Sequence, residues 1–236
     1  MSTQDLSPSD RRKAAAAHTA ADRITSGMIL GLGTGTTASF FLRELAHRLE
    51  AGTLADIRGV PTSRQAEELA QNLGIPLTTL ESDPVLDVAV DGADEIDPRG
   101  NAIKGGGGAL LREKIVAQAA KVFIIIVEAE KCSTMLGETW ALPVEVIPFG
   151  WRTQSDFLAR LGAQVTLRTT YNKPFLTDSG NYILDSRFTP RANWTELAHS
   201  LKCRTGIVEH GLFLDMAHEL LIADDEHVQV LTPNRG

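Results

Sequence analysis

Cysteine is scarce in this sequence: Cys132 and Cys203 are the only two in 236 residues, and they form no CxxC pair. That excludes a disulfide framework, and both thiols read as reduced and structural. Long apolar runs are missing as well. No stretch nears the ~20 residues of a membrane span, and the opening MSTQDLSPSDRRKAAAA has no apolar core of the signal-peptide kind. A cytoplasmic protein without a membrane partner is therefore expected. Basic runs are absent too. With a net charge of −7 and scattered Lys and Arg, the chain offers no surface for a nucleic-acid partner. A small anion remains possible, because one or two lysines and a few backbone N–H groups suffice for it. The histidines (His18, His47, His199, His210, His218, His227) show no HExxH or other ligand spacing, and none is assigned a catalytic role.

What is present is an alternation of short apolar runs with helical patterns. Ser7-Pro8-Ser9-Asp10 predicts a capped helix start, with the helix running through the alanines to about Ile24. Strands are expected over Met28–Leu32, Ile57–Val60, Pro76–Leu80, Val85–Val90 and Val122–Val127. Helices are expected over Ser39–Leu49, over Arg64–Leu73 after the cap Thr62-Ser63, and over Ala109–Ala120. Near-continuous apolar runs suit parallel strands covered on both faces. The alternation predicts a doubly wound, mostly parallel, Rossmann-like α/β sheet.

The pattern changes near Leu136. Strand Val144–Ile147, helix Gln154–Leu161, strands Gln164–Leu167 and Tyr182–Asp185, helix Thr195–Leu201 and strand Gly206–Glu209 follow, a ferredoxin-like β-α-β-β-α-β order. Lys173-Pro174 and Asp178-Ser-Gly-Asn181 read as turns between the middle strands. Glu219–Ala223 and Val228–Leu231 return to the first architecture. The expected organisation is an α/β catalytic domain of residues 1–136 with 210–236, and an inserted α+β domain of residues 137–209.

Four loops follow predicted strands, where open α/β sheets bind ligands. Gly31-Leu-Gly-Thr34-Gly35-Thr36-Thr37-Ala38 can cradle phosphate on glycine backbone and threonine hydroxyls. It also satisfies a dinucleotide GxGxx(G/A) pattern, but the next strand ends Val60-Pro61-Thr62-Ser63, without the acidic ribose ligand that reading wants. A purely structural turn is the third reading. Asp91-Gly92-Ala93-Asp94-Glu95-Ile-Asp97 crowds four carboxylates into seven residues. A solvated capping loop and a Mg²⁺ or Ca²⁺ site are open readings; the favoured one is carboxylates that bind sugar hydroxyls and assist proton transfer. Lys104-Gly105-Gly106-Gly107-Gly108 lets backbone wrap closely round a ligand at a helix start. On that helix, Glu113 shares a small apolar face with Gly106, Leu110 and Ala117, where partial desolvation would raise its pKa toward that of a useful base. Glu128-Ala-Glu-Lys131 ends the strongest strand, and Lys131 could pair with phosphate as a point charge, as could Lys13 on the first helix.

GLGTGTTA, VDGADEIDP, KGGGGALLREKI and the strand-closing Lys131, in this order, resemble ribose-5-phosphate isomerase of the A type, as do ALPVEVIPFG, TDSGNYILD and GLFLDMAHELLIA further on. The resemblance implies an α/β domain with a small α+β lid, a homodimer or homotetramer, no cofactor and no metal. It implies a sugar-phosphate substrate, ribose 5-phosphate, interconverted with ribulose 5-phosphate through an enediolate. Glu113 matches the general base, Asp91 and Asp94 the carboxylates beside the sugar, and Lys104 the lysine near the reacting oxygens. Thr34, Gly35, Thr36, Thr37, Gly92, Ala93, Gly105, Gly106, Gly107, Lys131 and Lys13 match the substrate contacts. Amino-sugar phosphate deamination would want a histidine in these loops, acyl-CoA transfer a Glu nucleophile, and a non-catalytic sensor an accompanying DNA-binding module.

Overall fold

Ser7 and Ser63 each accept a backbone N–H at a helix start, Ser7 from Asp10 and Ser63 from Ala66, as their places ahead of helical patterns require. The computed structural model describes residues 6–191 and 193–233. In chain order, α1 (Pro8–Ala21) leads to β1 (Ile29–Leu32), α2 (Thr36–Glu50), β2 (Arg58–Pro61), α3 (Arg64–Asn72) and β3 (Leu86–Asp91). The short strands β4 (Glu95–Ile96) and β5 (Ala102–Ile103) precede α4 (Leu110–Ala119), β6 (Ala120–Glu128) and a 3-10 turn at Ala129–Lys131. There follow β7 (Leu142–Val146), α5 (Trp151–Arg160), β8 (Gln164–Leu167), β9 (Thr169–Thr170), β10 (Lys173–Pro174) and β11 (Tyr182–Arg187). Then come α6 (Thr195–Lys202), β12 (Ile207–His210), β13 (Leu212–Phe213), β14 (Glu219–Ala223) and β15 (Val228–Leu231). No described helix is long and apolar enough to cross a membrane.

The contacts divide the chain into two units, the first running to Ala93, over Arg112–Lys131 and from Met216 on, the second holding Asp94–Leu111 and Cys132–Asp215. The first unit is the doubly wound part. Its sheet has the order β15-β14-β6-β3-β1-β2, parallel except where β15 pairs antiparallel with β14. Strand alternation gives each strand two different faces. Leu30, Leu32, Val88, Val90, Ile124 and Ile126 pack against Ala16, Ala17 and Ala20 of α1 and Phe41, Leu42 and Leu45 of α2. Gly31 faces the opposite way, where an added Cβ would stand 2.5 Å from Val116 of α4 and 2.7 Å from Ala89. The chain winds from β1 to β2 on one side, then returns to place β3 on the other. A switch point therefore opens between the carboxyl ends of β1 and β3.

The second unit carries the antiparallel sheet β12-β7-β11-β8 with α5 and α6, the ferredoxin-like strand order for a β-α-β-β-α-β chain. Its core includes Leu142, Val144, Val146, Leu158, Leu184, Leu197 and Leu201. It also holds a three-stranded sheet, β13-β5-β4. The contact-based division puts residues 94–111, 132–136 and 210–215 with this unit, whereas the sequence pattern groups them with the α/β domain. The cause is local pairing: β5 pairs with β13, and Glu95 accepts backbone N–H groups from Gly137 through Trp140.

Some elements differ from expectation. Pro76–Leu80 is not a strand: only an isolated bridge from Leu77 to Gly59 forms, and Thr79–Asp83 turns away with Asp83 N–H on Thr79 O. Lys173-Pro174 is strand β10, and the turn is Tyr171-Asn172, both at positive φ, the geometry of a tight hairpin. Helix α2 begins at Thr36 rather than Ser39, because Gly35 at φ 101° ends the extended chain at once. Helix α4 begins at Leu110, so Gly106 lies in the preceding turn and is not on the Glu113 face.

Candidate active site

In the first unit, the switch point is closed by backbone hydrogen bonds to a carboxylate. Gly33 N–H donates to Val90 O at 3.0 Å, which carries the loop after β1 across to the end of β3. Asp91 Oδ1 then accepts Thr34 N–H at 3.0 Å and Gly92 N–H at 2.8 Å. Position 33 must be glycine here, since a Cβ would lie 2.5 Å from Asp91 Cγ and 2.6 Å from its Cα. Directly beneath, a small pocket is lined by Gly31, Gly33, Thr62, Asp91, Glu113 and Phe123. Asp91 is 3% exposed and Glu113 5%. The absence of side chains makes room for Val116 of α4 against Gly31 and for Asp91 against Gly33.

The structure thus brings Asp91 and Glu113 to one pocket, with the Gly33–Thr34 backbone at its rim. Thr34 itself turns its hydroxyl inward, donating to Ser63 Oγ at 2.7 Å and lying 2.7 Å from Thr62 Oγ1. Thr62 and Ser63 were legible as a helix cap only; their link to the glycine loop depends on β2 lying beside β1. Gly35 caps α2 without a side-chain hydrogen bond, so the first turn, Thr36 and Thr37, presents backbone N–H groups. Thr36 is exposed and Thr37 half-buried. Gly92 and Ala93 follow Asp91, also half-buried. Lys131 ends the 3-10 turn after β6 and is half-buried. Lys13 stands 3.6 Å from Asp10 and 3.9 Å from Glu128, while Arg12 bridges Glu130 at 2.9 Å and Asp225 at 2.6 Å. The Asp225 hydrogen bond holds the Arg12 guanidinium pKa above its ordinary value.

In the second unit, the remaining carboxylates of the acidic loop take separate structural tasks. Asp94 Oδ2 accepts Gly106 N–H at 2.7 Å. Glu95, fully buried, accepts four successive N–H groups, from Gly137, Glu138, Thr139 and Trp140, at 2.9 to 3.2 Å. Asp97 accepts Arg99 N–H, Asn101 N–H and Asn101 Nδ2. Glu95 and Asp97 are therefore taken up in holding loops. Lys104 is 2% exposed; its N–H donates to Gly211 O at 2.9 Å, and its ammonium lies 5.4 Å from the Phe213 ring centre. Gly105, Gly106 and Gly107 follow in a turn, with Arg168 donating to its carbonyls. Nothing in the neighbourhood of Arg168 in the sequence marks it for this task.

A carboxylate kept from water beside a second carboxylate can take and return a proton. The N-terminus of α2 can hold an anion a short way off.

The family model for ribose 5-phosphate isomerase A (phosphoriboisomerase A) matches residues 58–227. Ribose-5-phosphate isomerase A of Synechococcus sp. (strain JA-3-3Ab) is 50% identical over 228 residues, covering 96% of this chain and 99% of its own. Among solved structures, ribose 5-phosphate isomerase from Plasmodium falciparum is 39% identical with a TM-score of 0.91, over 94% of this chain and 98% of that one. A D-ribose-5-phosphate isomerase in complex with phospho-erythronic acid is 38% identical with a TM-score of 0.92, over 94% and 98% of the two chains.

Proposed function

The chain belongs to the ribose 5-phosphate isomerase A family, and from that premise we propose that Glu113 is the base that carries the proton in its reaction. The protein is an isomerase that interconverts ribose 5-phosphate and ribulose 5-phosphate, a step of the pentose phosphate pathway. The observation that carries the assignment is the shared pocket of Glu113 and Asp91 beneath the glycine loop.

The open-chain aldose has its aldehyde at C1 and a hydroxyl at C2. Glu113 takes the C2 proton, and the C–H electron pair becomes the C1=C2 bond of an enediolate as negative charge moves to O1. The hydroxyl proton on O2 passes to O1, and Glu113 returns its proton to C1, leaving the ketone at C2. Asp91, held at one oxygen by Thr34 and Gly92 N–H, assists ring opening by moving the proton between O1 and the ring oxygen. Lys104 and N–H groups of the glycine run that leads into α4 serve as donors to the enediolate oxygens. Asp94 stands beside the sugar as the second carboxylate, one of its oxygens fixing the turn of that run. The phosphate goes to the N–H groups of Gly35, Thr36 and Thr37, with Lys131 as a point charge and Lys13 beside it. Binding there is remote from the reacting carbons and positions them. No step calls on a metal or cofactor. A cytoplasmic location and a homodimer or homotetramer complete the proposal.

The test is turnover in D₂O. A proton held on a carboxylate can exchange with solvent, so the native protein should place some deuterium on C1 of ribulose 5-phosphate. Glu113→Gln should bind substrate within a few-fold yet neither turn over nor incorporate deuterium. Retention of more than about a tenth of the native kcat by that variant would reject Glu113 as the base.

A further inference from the structure

We infer that Arg168 is a positioning residue of this isomerase, its guanidinium setting the Gly105 and Gly106 peptides so that the Gly107 N–H faces the reacting oxygens. The inference rests on the assignment of Gly105–Gly107 to the substrate and goes beyond it.

Four glycines in succession have no conformational preference that would choose one turn over another. Here Gly108 N–H donates to Gly105 O at 2.9 Å, with Gly105 at φ 103° and Gly108 at φ 81°. The choice is imposed from outside the run. Arg168 Nη1 donates to Gly105 O at 2.8 Å and to Gly106 O at 3.0 Å. Asp94 takes the N–H of the Gly105–Gly106 peptide, so that peptide is held at both ends. The next peptide is held by its carbonyl alone. Because the peptide is trans and planar, its N–H, that of Gly107, points away from Arg168. Among the described residues Gly107 N–H has no hydrogen-bond partner, and Gly107 is exposed. A guanidinium on the carbonyl side also polarises the peptide and strengthens its N–H as a donor.

Arg168 is itself firmly held. Its N–H donates to Ile183 O and its carbonyl accepts Phe175 N–H, both at 2.9 Å, so its backbone is fixed between β8 and β9. Asp185 takes Nε at 2.9 Å and Nη2 through its other oxygen. The Phe175 ring centre lies 5.8 Å from the guanidinium carbon, and a Cβ at Gly108 would overlap that ring. A planar fork holds both oxygens of the carboxylate while its third nitrogen reaches the two carbonyls; a lysine ammonium has no such bidentate face. Donors to an enediolate are useful when fixed before charge develops, because then no reorganisation is needed during reaction.

The experiment measures kcat and KM for ribose 5-phosphate in Arg168→Met, Arg168→Lys and Asp185→Asn, scaled to the folded fraction from circular dichroism. A displaced donor should lower kcat of Arg168→Met about 100-fold, with KM moving less than about threefold. Arg168→Lys should lose less, and Asp185→Asn, which keeps the guanidinium but loosens it, only several-fold. Arg168→Ala should regain activity with millimolar guanidinium, far below the molar range that unfolds proteins, and not with ammonium. A kcat within twofold of native in Arg168→Met would overturn the inference. So would a loss that merely tracks the unfolded fraction, with no guanidinium rescue. Turnover by Glu113→Gln would reject the base assignment and leave Arg168 untouched, so the two failures are distinguishable.

Discussion

The backbone N–H of Thr34 donates to Asp91 Oδ1 at 3.0 Å, tying the loop after β1 to the end of β3 across the switch point of the sheet. One oxygen of Asp91 is thereby spent on holding the backbone, together with Gly92 N–H at 2.8 Å. An asparagine can keep both bonds through its carbonyl oxygen but cannot carry a proton. Asp91→Asn should therefore fold with its melting temperature within a few degrees of native. It should turn over at least about tenfold more slowly on the cyclic sugar phosphate. Unchanged kcat would show that Asp91 serves only the backbone.

Gly33→Ala tests the close approach itself. The added methyl would overlap the Asp91 carboxyl group and backbone, and neither can retreat without breaking the Thr34 and Val90 hydrogen bonds. We expect a loss of about 1–3 kcal/mol of stability, the range for overpacking, and a fall in kcat as Asp91 moves. Thermal unfolding and steady-state rates check both. Gly52→Ala is no steric control, since φ 70° there strains any side chain.

Glu95→Gln should separate structure from chemistry within the acidic loop. The buried carboxylate accepts four N–H groups, and an amide would turn its own NH₂ against some of them. A loss of about 2–3 kcal/mol is expected for spoiling charge-assisted hydrogen bonds in the interior. The kcat of the folded fraction should stay within about twofold of native. A large kcat defect in fully folded protein would return Glu95 to the chemistry.

Activity should survive exhaustive chelation. The carboxylates that suggested a divalent-cation loop are committed elsewhere: Glu95 to the 137–140 backbone and Asp97 to Arg99 and Asn101. Loss of turnover with EDTA, restored by added Mg²⁺, would show that the loop binds a cation after all.

Nearest neighbours along the chain decide several features of this fold. Ser7 and Ser63 cap helices because a short hydroxyl side chain meets N–H groups three residues on. Val122–Val127 forms a central strand because a β-rich apolar run finds its lowest free energy between two covered faces. Glu113 stood out because a carboxylate on a small-residue helix face follows a run of glycines. The fold settled the work of three of the four carboxylates in Asp91–Asp97, because their partners come from elsewhere in the chain: Asp91 meets Thr34, Asp94 meets Gly106 and Glu95 meets Gly137–Trp140, whereas Asp97 turns to its neighbours Arg99 and Asn101. Arg168 was invisible for the same reason, since its partners, Gly105 and Gly106, reach it only once β8 and β11 are paired. Pro76–Leu80, apolar enough to be a strand, made one bridge because Thr79–Asp83 turns it from the sheet edge. Local composition selects the elements, but a buried polar group takes its role from whichever donor or acceptor the fold brings within hydrogen-bond reach.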